Sequence, residues 1–272
     1  MSVFSLSQTP EKEPPDDTSV LIHGKRYRIG ALLHQGHDSR IYAASLAEGG
    51  EGSAFVMKYF LCIRGDDTWD IAMREIEAGQ MLRRCRHAVR LLGYAVRRVA
   101  NSENCEVFLL MKWLPGCIKR LGSEAEERQV LELCRDIRSA LRFLRHKGLV
   151  HGDVKPANIY YDESDGWQLG DFGSVIRTGE RPRDVSEGYC SPEARRGEPC
   201  DYHSDLYSLG VVAYRLLSGG RLPFCNRPCE QMTDDEVYHA IGRRLRGDHI
   251  PPLDGVSERT NRLLANWLRQ SW

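Results

Sequence analysis

The motif HGDVKPAN at residues 151–158, together with DFG at residues 171–173, decides the fold and the chemistry that this sequence predicts. A short hairpin-like stretch separates the two motifs, which should place them on adjacent loops. DFG alone would be a weak signal, because Asp-Phe-Gly also makes a good turn. In this order and at this separation, the two motifs together are a strong signal for one site.

The polar side chains of the two motifs suit the transfer of a phosphoryl group. That reaction needs a carboxylate to orient the attacking hydroxyl, positive charge over the migrating oxygens and positioned metal ions. Asp153 can accept the hydrogen bond of the hydroxyl, and Lys155 can reach the same space if the segment is extended. Asn158 and Asp171 offer the oxygen ligands that Mg²⁺ takes. The sequence therefore predicts a phosphotransferase site.

The order of the motifs resembles that of the eukaryotic-type protein kinases of the Ser/Thr kind. Protein kinases carry H-R-D-x-x-x-x-N, D-F-G and A-P-E, and this chain has SPE at residues 191–193 as the third motif. The resemblance runs from about residue 25 to the C-terminus and is to the bacterial-like members. It implies transfer of the γ-phosphoryl group of ATP, with Mg²⁺, to a hydroxyl of a protein substrate.

The same resemblance implies a role for each polar residue of the motifs. Asp153 would be the catalytic base, and Asn158 and Asp171 would hold the metal ions. Lys155 is followed by proline, which resembles the Ser/Thr-specific subset rather than the tyrosine kinases. In that subset the lysine steadies the transferring phosphate.

Two residues nearer the N-terminus resemble the nucleotide-binding pair of the family. Lys58 in FVMK matches the strand lysine that lies over the α and β phosphates, and Glu75 in MREI resembles the helix glutamate that pairs with it. Glu77 is the alternative, but it lies roughly 200° round the helix from Glu75, so both cannot face the lysine. A solvated helix face is the other interpretation of Glu75.

The loop that covers the phosphates is the poorest match to the family. Residues 34–39 stand where G-x-G-x-x-G is expected, and only Gly36 is retained. Loss of two glycines should weaken or reshape the contact with nucleotide. Met111 resembles the gatekeeper beside the adenine, and residues 112–114, with Trp113, resemble the hinge whose backbone meets it. A core methionine is an equally good interpretation of Met111.

Two glycines depart from the family pattern. Gly152 stands where many kinases have an arginine that pairs with a phosphate on the activation segment, residues 174–190 here. We therefore expect an enzyme that does not need phosphorylation of that segment. Gly79 replaces a bulky apolar residue that links the helix to the DFG phenylalanine, which weakens the expected hold on the active form.

Two acidic residues of the C-terminal half also match the family. Asp205 resembles the buried aspartate that braces the catalytic loop, and an ordinary helix N-cap is the alternative. Glu193 of SPE usually meets an arginine near the end of the domain, about where this chain stops. Either another arginine takes that place or the C-terminal lobe is abbreviated.

Composition favours a cytoplasmic protein, with export as an effector as the alternative. Basic and acidic side chains balance at 38 each, so no overall field attracts nucleic acid or an anionic membrane. No apolar run approaches the roughly 18 to 20 residues of a membrane helix, and the N-terminus lacks the build of a secretory signal. The nine cysteines lack the paired spacing of zinc ligands, which predicts reduced, mostly buried thiols. Nothing in the sequence indicates an oligomeric state.

The pattern of apolar residues predicts an α+β, two-lobed kinase-like fold after a disordered tail over residues 1–20. Residues 21–113 form the predicted N-lobe, a small antiparallel sheet with one helix, and residues 114–272 the larger helical C-lobe, with a cleft between them. The predicted helices span residues 67–86, 124–147, 204–218, 234–246 and 257–270.

Two other functions compete with a protein kinase. His-Gly-Asp followed by Asn158 also resembles aminoglycoside- and choline-kinase-like enzymes, which phosphorylate small molecules. The eroded glycine loop and Gly79 instead favour a pseudokinase that acts as a binding module. Retention of all five polar groups argues against the pseudokinase: Lys58, Glu75, Asp153, Asn158 and Asp171.

Overall fold

A computed structural model describes residues 19–48, 54–114, 116–118 and 125–269. They belong to two compact units, Met1–Ile63 with Leu92–Trp113, and Arg64–Leu91 with Leu114–Trp272. One division between the units falls at 113/114, and residues 64–91 group with the second unit. The predicted tail lies outside the described residues, except that Ser19 and Val20 already belong to a strand.

The first unit is built on a six-stranded sheet in the order β1-β2-β3-β4-β6-β5, in which the pairs from β1 to β6 are antiparallel. Aromatic and β-branched residues are frequent in these strands, and the central strands β3, β4 and β6 contain continuous buried runs. One face of the sheet carries a buried core that includes Met57, Tyr59 and Phe108. The strands are β1 Ser19–Ile22, β2 Lys25–Gln35, β3 Arg40–Leu46, β4 Phe55–Ile63, β5 Leu91–Arg98 and β6 Asn104–Lys112.

The second unit contains the helices and the loops that carry the two motifs. Its helices are α1 Asp67–Met81, α2 Glu127–His146, α3 Pro192–Arg195, α4 Tyr202–Leu217, α5 Asp234–Leu245 and α6 Glu258–Trp267. Its strands are β7 Gly116–Cys117, β8 Leu149–Val150, β9 Ile159–Asp162, β10 Gly166–Leu169 and β11 Ile176–Arg177. They form two small sheets, one ordered β10-β9-β7 and one that pairs β11 with β8.

Helices α2 and α4 form the centre of this unit. Almost every residue of the first three turns of α4 is buried, and α2 buries one apolar stripe, which is the pattern of a helix with one exposed face. Helix α4 begins at Tyr202, two residues before the predicted start, because Asp201 and Ser204 form a capping box there. Helix α4 also carries the buried Asp205.

Within the described residues, the structure has no helix long and apolar enough to cross a membrane. Eight of the nine cysteines have described side chains, all eight carry free thiols and seven of those are buried. The buried thiols agree with the expectation from the sequence.

Candidate active site

Asp205 anchors the loop that carries the HGD motif. Its carboxylate accepts hydrogen bonds from the backbone N–H groups of His151, at 2.7 Å, and Gly152, at 3.0 Å. Burial raises the pKa of Asp205, and His151 and the two N–H donors act in the opposite direction. The N-cap of α4 is Asp201, so the alternative interpretation of Asp205 as a cap is wrong. Asp205 instead fixes the backbone just before Asp153.

His151 connects the HGD loop to the DFG turn from a fully buried position. Its Nδ1 accepts from the backbone N–H of Asp153, at 3.2 Å, so Nε2 carries the proton and donates to the carbonyl oxygen of Gly170, also at 3.2 Å. The ring of Phe172 packs edge-on against the imidazole, with centroids 5.5 Å apart. His151 therefore connects the HGD loop to the residue before the DFG turn through two hydrogen bonds.

The carboxylate of Asp153 lies in a ring of polar side chains. Its Oδ2 is 2.7 Å from Lys155 Nζ and accepts from Asn158 Nδ2 at 3.1 Å. Its Oδ1 accepts from the hydroxyl of Ser186 at 2.7 Å, and Lys155 Nζ donates to the same hydroxyl at 3.0 Å. The structure thus brings together three residues predicted from the sequence and adds Ser186 of the activation segment.

The DFG turn lies against helix α1. Asp171 has the left-handed backbone angle φ of 62°, which is uncommon outside glycine, and such angles concentrate at functional sites. A Cβ added to Gly173 would lie 2.8 Å from Ile71 Cγ2, so only glycine allows this approach. The same point is 3.7 Å from Asp171 Oδ1 and 3.8 Å from Glu75 Oε2, which brings the two carboxylates to one small space.

Burial separates the two candidate glutamates of α1. Glu75 is 4% exposed, whereas Glu77 is on the exposed face of the helix. Arg74, the residue before Glu75, donates from Nε to the carbonyl oxygen of Gly173 at 3.1 Å. The solvated-face interpretation of Glu75 is therefore wrong, and the carboxylate that faces the DFG turn belongs to the glutamate favoured from the sequence.

The chemistry of the motif residues fits a magnesium ion that also binds phosphate. The NH₂ group of Asn158 is held by the backbone and side-chain oxygens of Asp153, at 2.9 and 3.1 Å, which turns the amide oxygen the other way. That oxygen and the carboxylate of Asp171 are two hard ligands. The described residues contain no group of three or more His, Cys, Asp or Glu that could hold a metal. A site with few protein ligands is typical of Mg²⁺ that keeps water and phosphate ligands.

Lys58 is buried within the sheet of the first unit. It lies on β4 opposite Ile41 of β3 and Leu109 of β6, and its side chain is 6% exposed. Its Nζ lies 5.4 Å from the centroid of the Phe60 ring. A buried lysine requires compensation for lost hydration, which distinguishes it from a solvated surface lysine.

The other predicted nucleotide contacts also lie in the first unit. Gly36 is in the turn between β2 and β3, where its N–H donates to the carbonyl oxygen of Ser39 at 2.9 Å. Met111 is half-buried on β6 opposite Val56, and the N–H of Trp113 donates to Ala54 at 3.1 Å. Met111 is therefore only partly buried in the core.

The space at Gly79 is filled by a neighbouring side chain. A Cβ at Gly79 would lie 2.8 Å from the Cβ of Leu91 and 3.0 Å from its Cδ2. Leu91 therefore occupies the volume that a bulky residue of α1 would take, and Phe172 is nevertheless buried. The absence of a side chain at Gly79 leaves no gap at that point of the helix.

A buried arginine supports the segment around SPE. Arg244 of α5 donates to the carbonyl oxygens of Cys190 and Glu187, both at 2.8 Å, while Glu193 accepts from the hydroxyl of Ser204 at 2.7 Å. Arg244 is therefore not the alternative arginine partner that the sequence suggested for Glu193. It binds the backbone before SPE, whereas the carboxylate of Glu193 binds α4.

Comparison with known proteins now decides the family. A family model described as "Protein kinase domain" matches residues 27–271. The chain belongs to the protein kinase family. This membership and the fold agree with the resemblance drawn from the three motifs.

Its relatives include bacterial and plant kinases. The serine/threonine-protein kinase PknB of Mycolicibacterium smegmatis is 33% identical over 157 residues, which cover 53% of this chain and 24% of that protein. The L-type lectin-domain containing receptor kinase V.9 of Arabidopsis thaliana is 27% identical over 257 residues, 84% of this chain and 36% of that protein. The match thus spans about a quarter of the length of the PknB relative.

Among solved structures, the Cydia pomonella granulovirus kinase PK-1 superposes with a TM-score of 0.69 and covers 89% of this chain and 86% of its own. Its sequence is 21% identical to this chain. This likeness supports the protein kinase fold.

Proposed function

We propose that this protein kinase transfers the γ-phosphoryl group of Mg-ATP to a Ser or Thr hydroxyl of a protein. The observation that carries the proposal is the ring around Asp153. There the carboxylate already accepts a hydrogen bond from a hydroxyl, that of Ser186, beside the ammonium group of Lys155. A substrate hydroxyl needs the same two partners.

Asp153 orients the attacking hydroxyl and accepts its proton as the bond to phosphorus forms. Lys155 lies beside the same carboxylate and neutralises charge on the oxygens of the transferred group. Asn158 and Asp171 hold the magnesium, which supplies charge neutralisation at the phosphates when it is bound. The closeness of Asp171 and Glu75 supports this, since two carboxylates near one point favour a cation there.

Lys58, Gly36, Met111 and Trp113 are the proposed nucleotide contacts of the first unit, and Glu75 belongs to the same nucleotide-binding set. The buried position of Lys58 supports a role for its charge in binding phosphate. The retained Gly36 supplies one flexible point in a turn that otherwise carries side chains.

The structure supports activity without phosphorylation of the activation segment. Arg183 of that segment lies 3.4 Å from the carboxylate of Asp70 on α1, and Arg74 of α1 donates to Gly173. These contacts connect the segment to α1 without a phosphate. Exposed ion pairs contribute at most about 1 kcal/mol each. The part-buried hydrogen bonds of Ser186 and those of the buried Arg244 therefore contribute more to the position of the segment.

Transfer of radiolabelled phosphate from ATP tests the proposal. The purified chain should label a protein acceptor on Ser or Thr, and Asp153→Asn should lower the rate by about 100-fold or more. Asp165→Asn is the matched control, because this half-buried aspartate lies on the β9–β10 turn, outside the ring around Asp153. Label appearing on an aminosugar or an amino-alcohol rather than on protein would establish the small-molecule activity instead. Binding of Mg-ATP with no transfer to any acceptor would establish the pseudokinase.

A further inference from the structure

One arginine that the proposed phosphotransfer does not use lies beside the segment that carries Ser186. Arg215 is in the last turn of α4, and its guanidinium group donates to the hydroxyl of Tyr189 and, at 2.5 Å, to the carboxylate of Glu230. The N–H of Tyr189 donates to the carbonyl oxygen of Ser186 at 2.8 Å, so these two residues belong to one turn. The cation of Arg215 therefore lies one tyrosine side chain away from the turn whose hydroxyl binds Asp153.

We propose that Arg215 recognises an Asp or Glu side chain of the protein substrate within about three residues of the acceptor Ser or Thr. The inference rests on the proposed function and names its substrate class, proteins with an acidic residue close to the acceptor. A substrate hydroxyl must reach Asp153 beside Ser186, which brings the substrate chain across the same turn. An extended chain advances about 3.3 Å per residue, so three residues span about 10 Å. A carboxylate that close to the acceptor falls within reach of a guanidinium group at the end of Tyr189.

The present partner of Arg215 is one that a substrate carboxylate can replace. The side chain of Glu230 is 65% exposed and lies in the connection between α4 and α5, whereas that of Arg215 is 28% exposed. An ion pair with an exposed partner contributes little to stability, because water and salt screen it. A guanidinium group presents a planar fork of N–H donors that fits a carboxylate, and partial burial strengthens the contact. Tyr189 therefore fixes the position of Arg215 while its charge stays available to the substrate.

Two other basic side chains near the segment are less suited to this role. Arg195 is 44% exposed and pairs with Glu187, which belongs to the segment itself. Lys155 is 2.7 Å from Asp153 and acts in the proposed transfer. Arg215 instead combines partial burial with an acidic partner outside the segment.

Phosphotransfer to synthetic peptides tests the preference. Each peptide has one Ser in a background of Ala and Gln, with Glu or Arg placed in turn at each of the three positions on either side. For at least one position we expect kcat/KM about ten-fold higher with Glu than with Arg, the size of one hydrogen bond between charged groups. Arg215→Gln should abolish this preference and Arg215→Lys should retain part of it, which a purely structural role of Arg215 does not predict. Glu230→Gln should increase the preference, because it removes the competing carboxylate.

Arg195→Gln is the matched control, since it removes a nearby arginine that pairs within the segment. It should keep the parental preference. Equal use of the Glu and Arg peptides by the parent chain, or a preference that survives Arg215→Gln, would overturn the inference. Circular dichroism checks that each variant is folded, and Glu230→Gln decides the outcome if Arg215→Gln is not.

Binding of the same peptides separates this inference from the proposed function. Fluorescein-labelled versions with Ala in place of the acceptor Ser accept no phosphate, and fluorescence anisotropy measures their Kd. The Glu peptide should bind the parent chain about ten-fold more tightly than the Arg peptide, and Arg215→Gln should remove the difference. This binding preference in a chain that transfers no phosphate to any acceptor would refute the proposed function and leave recognition by Arg215 standing. Transfer without any preference would refute only the role of Arg215.

Discussion

Replacement of Gly152 by alanine should damage the catalytic loop even though it adds one methyl group. Gly152 has φ of 80°, and a Cβ there would lie 2.8 Å from the carbonyl oxygen of Ser174. The left-handed backbone costs a non-glycine residue about 1–2 kcal/mol. Relief of the contact with a backbone oxygen adds about 1–3 kcal/mol. Alanine should therefore lower the free energy of unfolding by about 2–5 kcal/mol.

Gly148 provides the matched control for this prediction. It has φ of 70° in the turn between α2 and β8, and no described heavy atom lies within 4 Å of its added Cβ. Gly148→Ala should cost only the backbone term, about 1–2 kcal/mol. The difference between the two variants isolates the contact with Ser174.

Thermal unfolding followed by circular dichroism measures this difference. Each kcal/mol should lower Tm by about 2–4 °C for domains of this order of size. Gly152 directly precedes Asp153 in the chain, and its N–H donates to Asp205. Gly152→Ala should therefore also lower the phosphotransfer rate about 100-fold, whereas Gly148→Ala should not. If the two alanine variants unfold at the same temperature and work at the same rate, the argument from Ser174 is wrong.

The remaining predictions concern three other contacts. Ser186→Ala should lower phosphotransfer about ten-fold or more by removing a hydrogen bond to a charged group, whereas Ser186→Thr and Thr178→Ala should stay near the parental rate. Gly79→Leu should lower the free energy of unfolding by about 1–3 kcal/mol through its clash with the side chain of Leu91. Urea titration should show that the double variant with Leu91→Ala recovers part of this loss. Additive losses in the double variant would contradict the clash. Hydrogen bonds from Ser257 and Thr260 lower the pKa of Glu127. The ionised Glu127 therefore stabilises the folded state above the ordinary glutamate pKa, and this stabilisation is lost as pH falls through the depressed pKa. In urea titrations at falling pH, the free energy of unfolding should fall less steeply for Glu127→Gln than for the parent. An equal dependence on pH in the two chains would refute this role of Glu127.

The sequence predicted the centre of the site because its residues are close along the chain. Asp153, Lys155 and Asn158 lie within six residues, so one short loop carries all three. The DFG turn follows after a hairpin that is itself visible in the sequence as β9 and β10. Local spacing therefore limited where these side chains could lie.

Ser186 and Arg244 could not be found in the same way. Ser186 lies 33 residues from Asp153, and Arg244 lies 54 residues from Cys190, so no periodicity or local motif connects the partners. Arg244 is also a charged residue that composition would place on the surface. Only the packing of α5 against the segment before SPE makes its burial favourable.

Helix boundaries show which local signals were overlooked. The predicted helix 67–86 is longer than the observed helix, which ends at Met81 with a cap at Leu82. The start of α4 could have been read from Asp201 and Ser204, whose spacing is that of a capping box. The capping residues therefore locate the start of α4 better than the apolar pattern does.

The burial of Arg244 sets a limit on how far this domain can be shortened. Its guanidinium group donates to the main-chain oxygens of Cys190 and Glu187. A fragment that stopped after α4 would lose this donor and would uncover the part of the core against which Val237, Ala240 and Ile241 of α5 pack. The smallest autonomous version of the second unit must therefore extend through α5, although every residue of the HGD and DFG motifs lies far upstream.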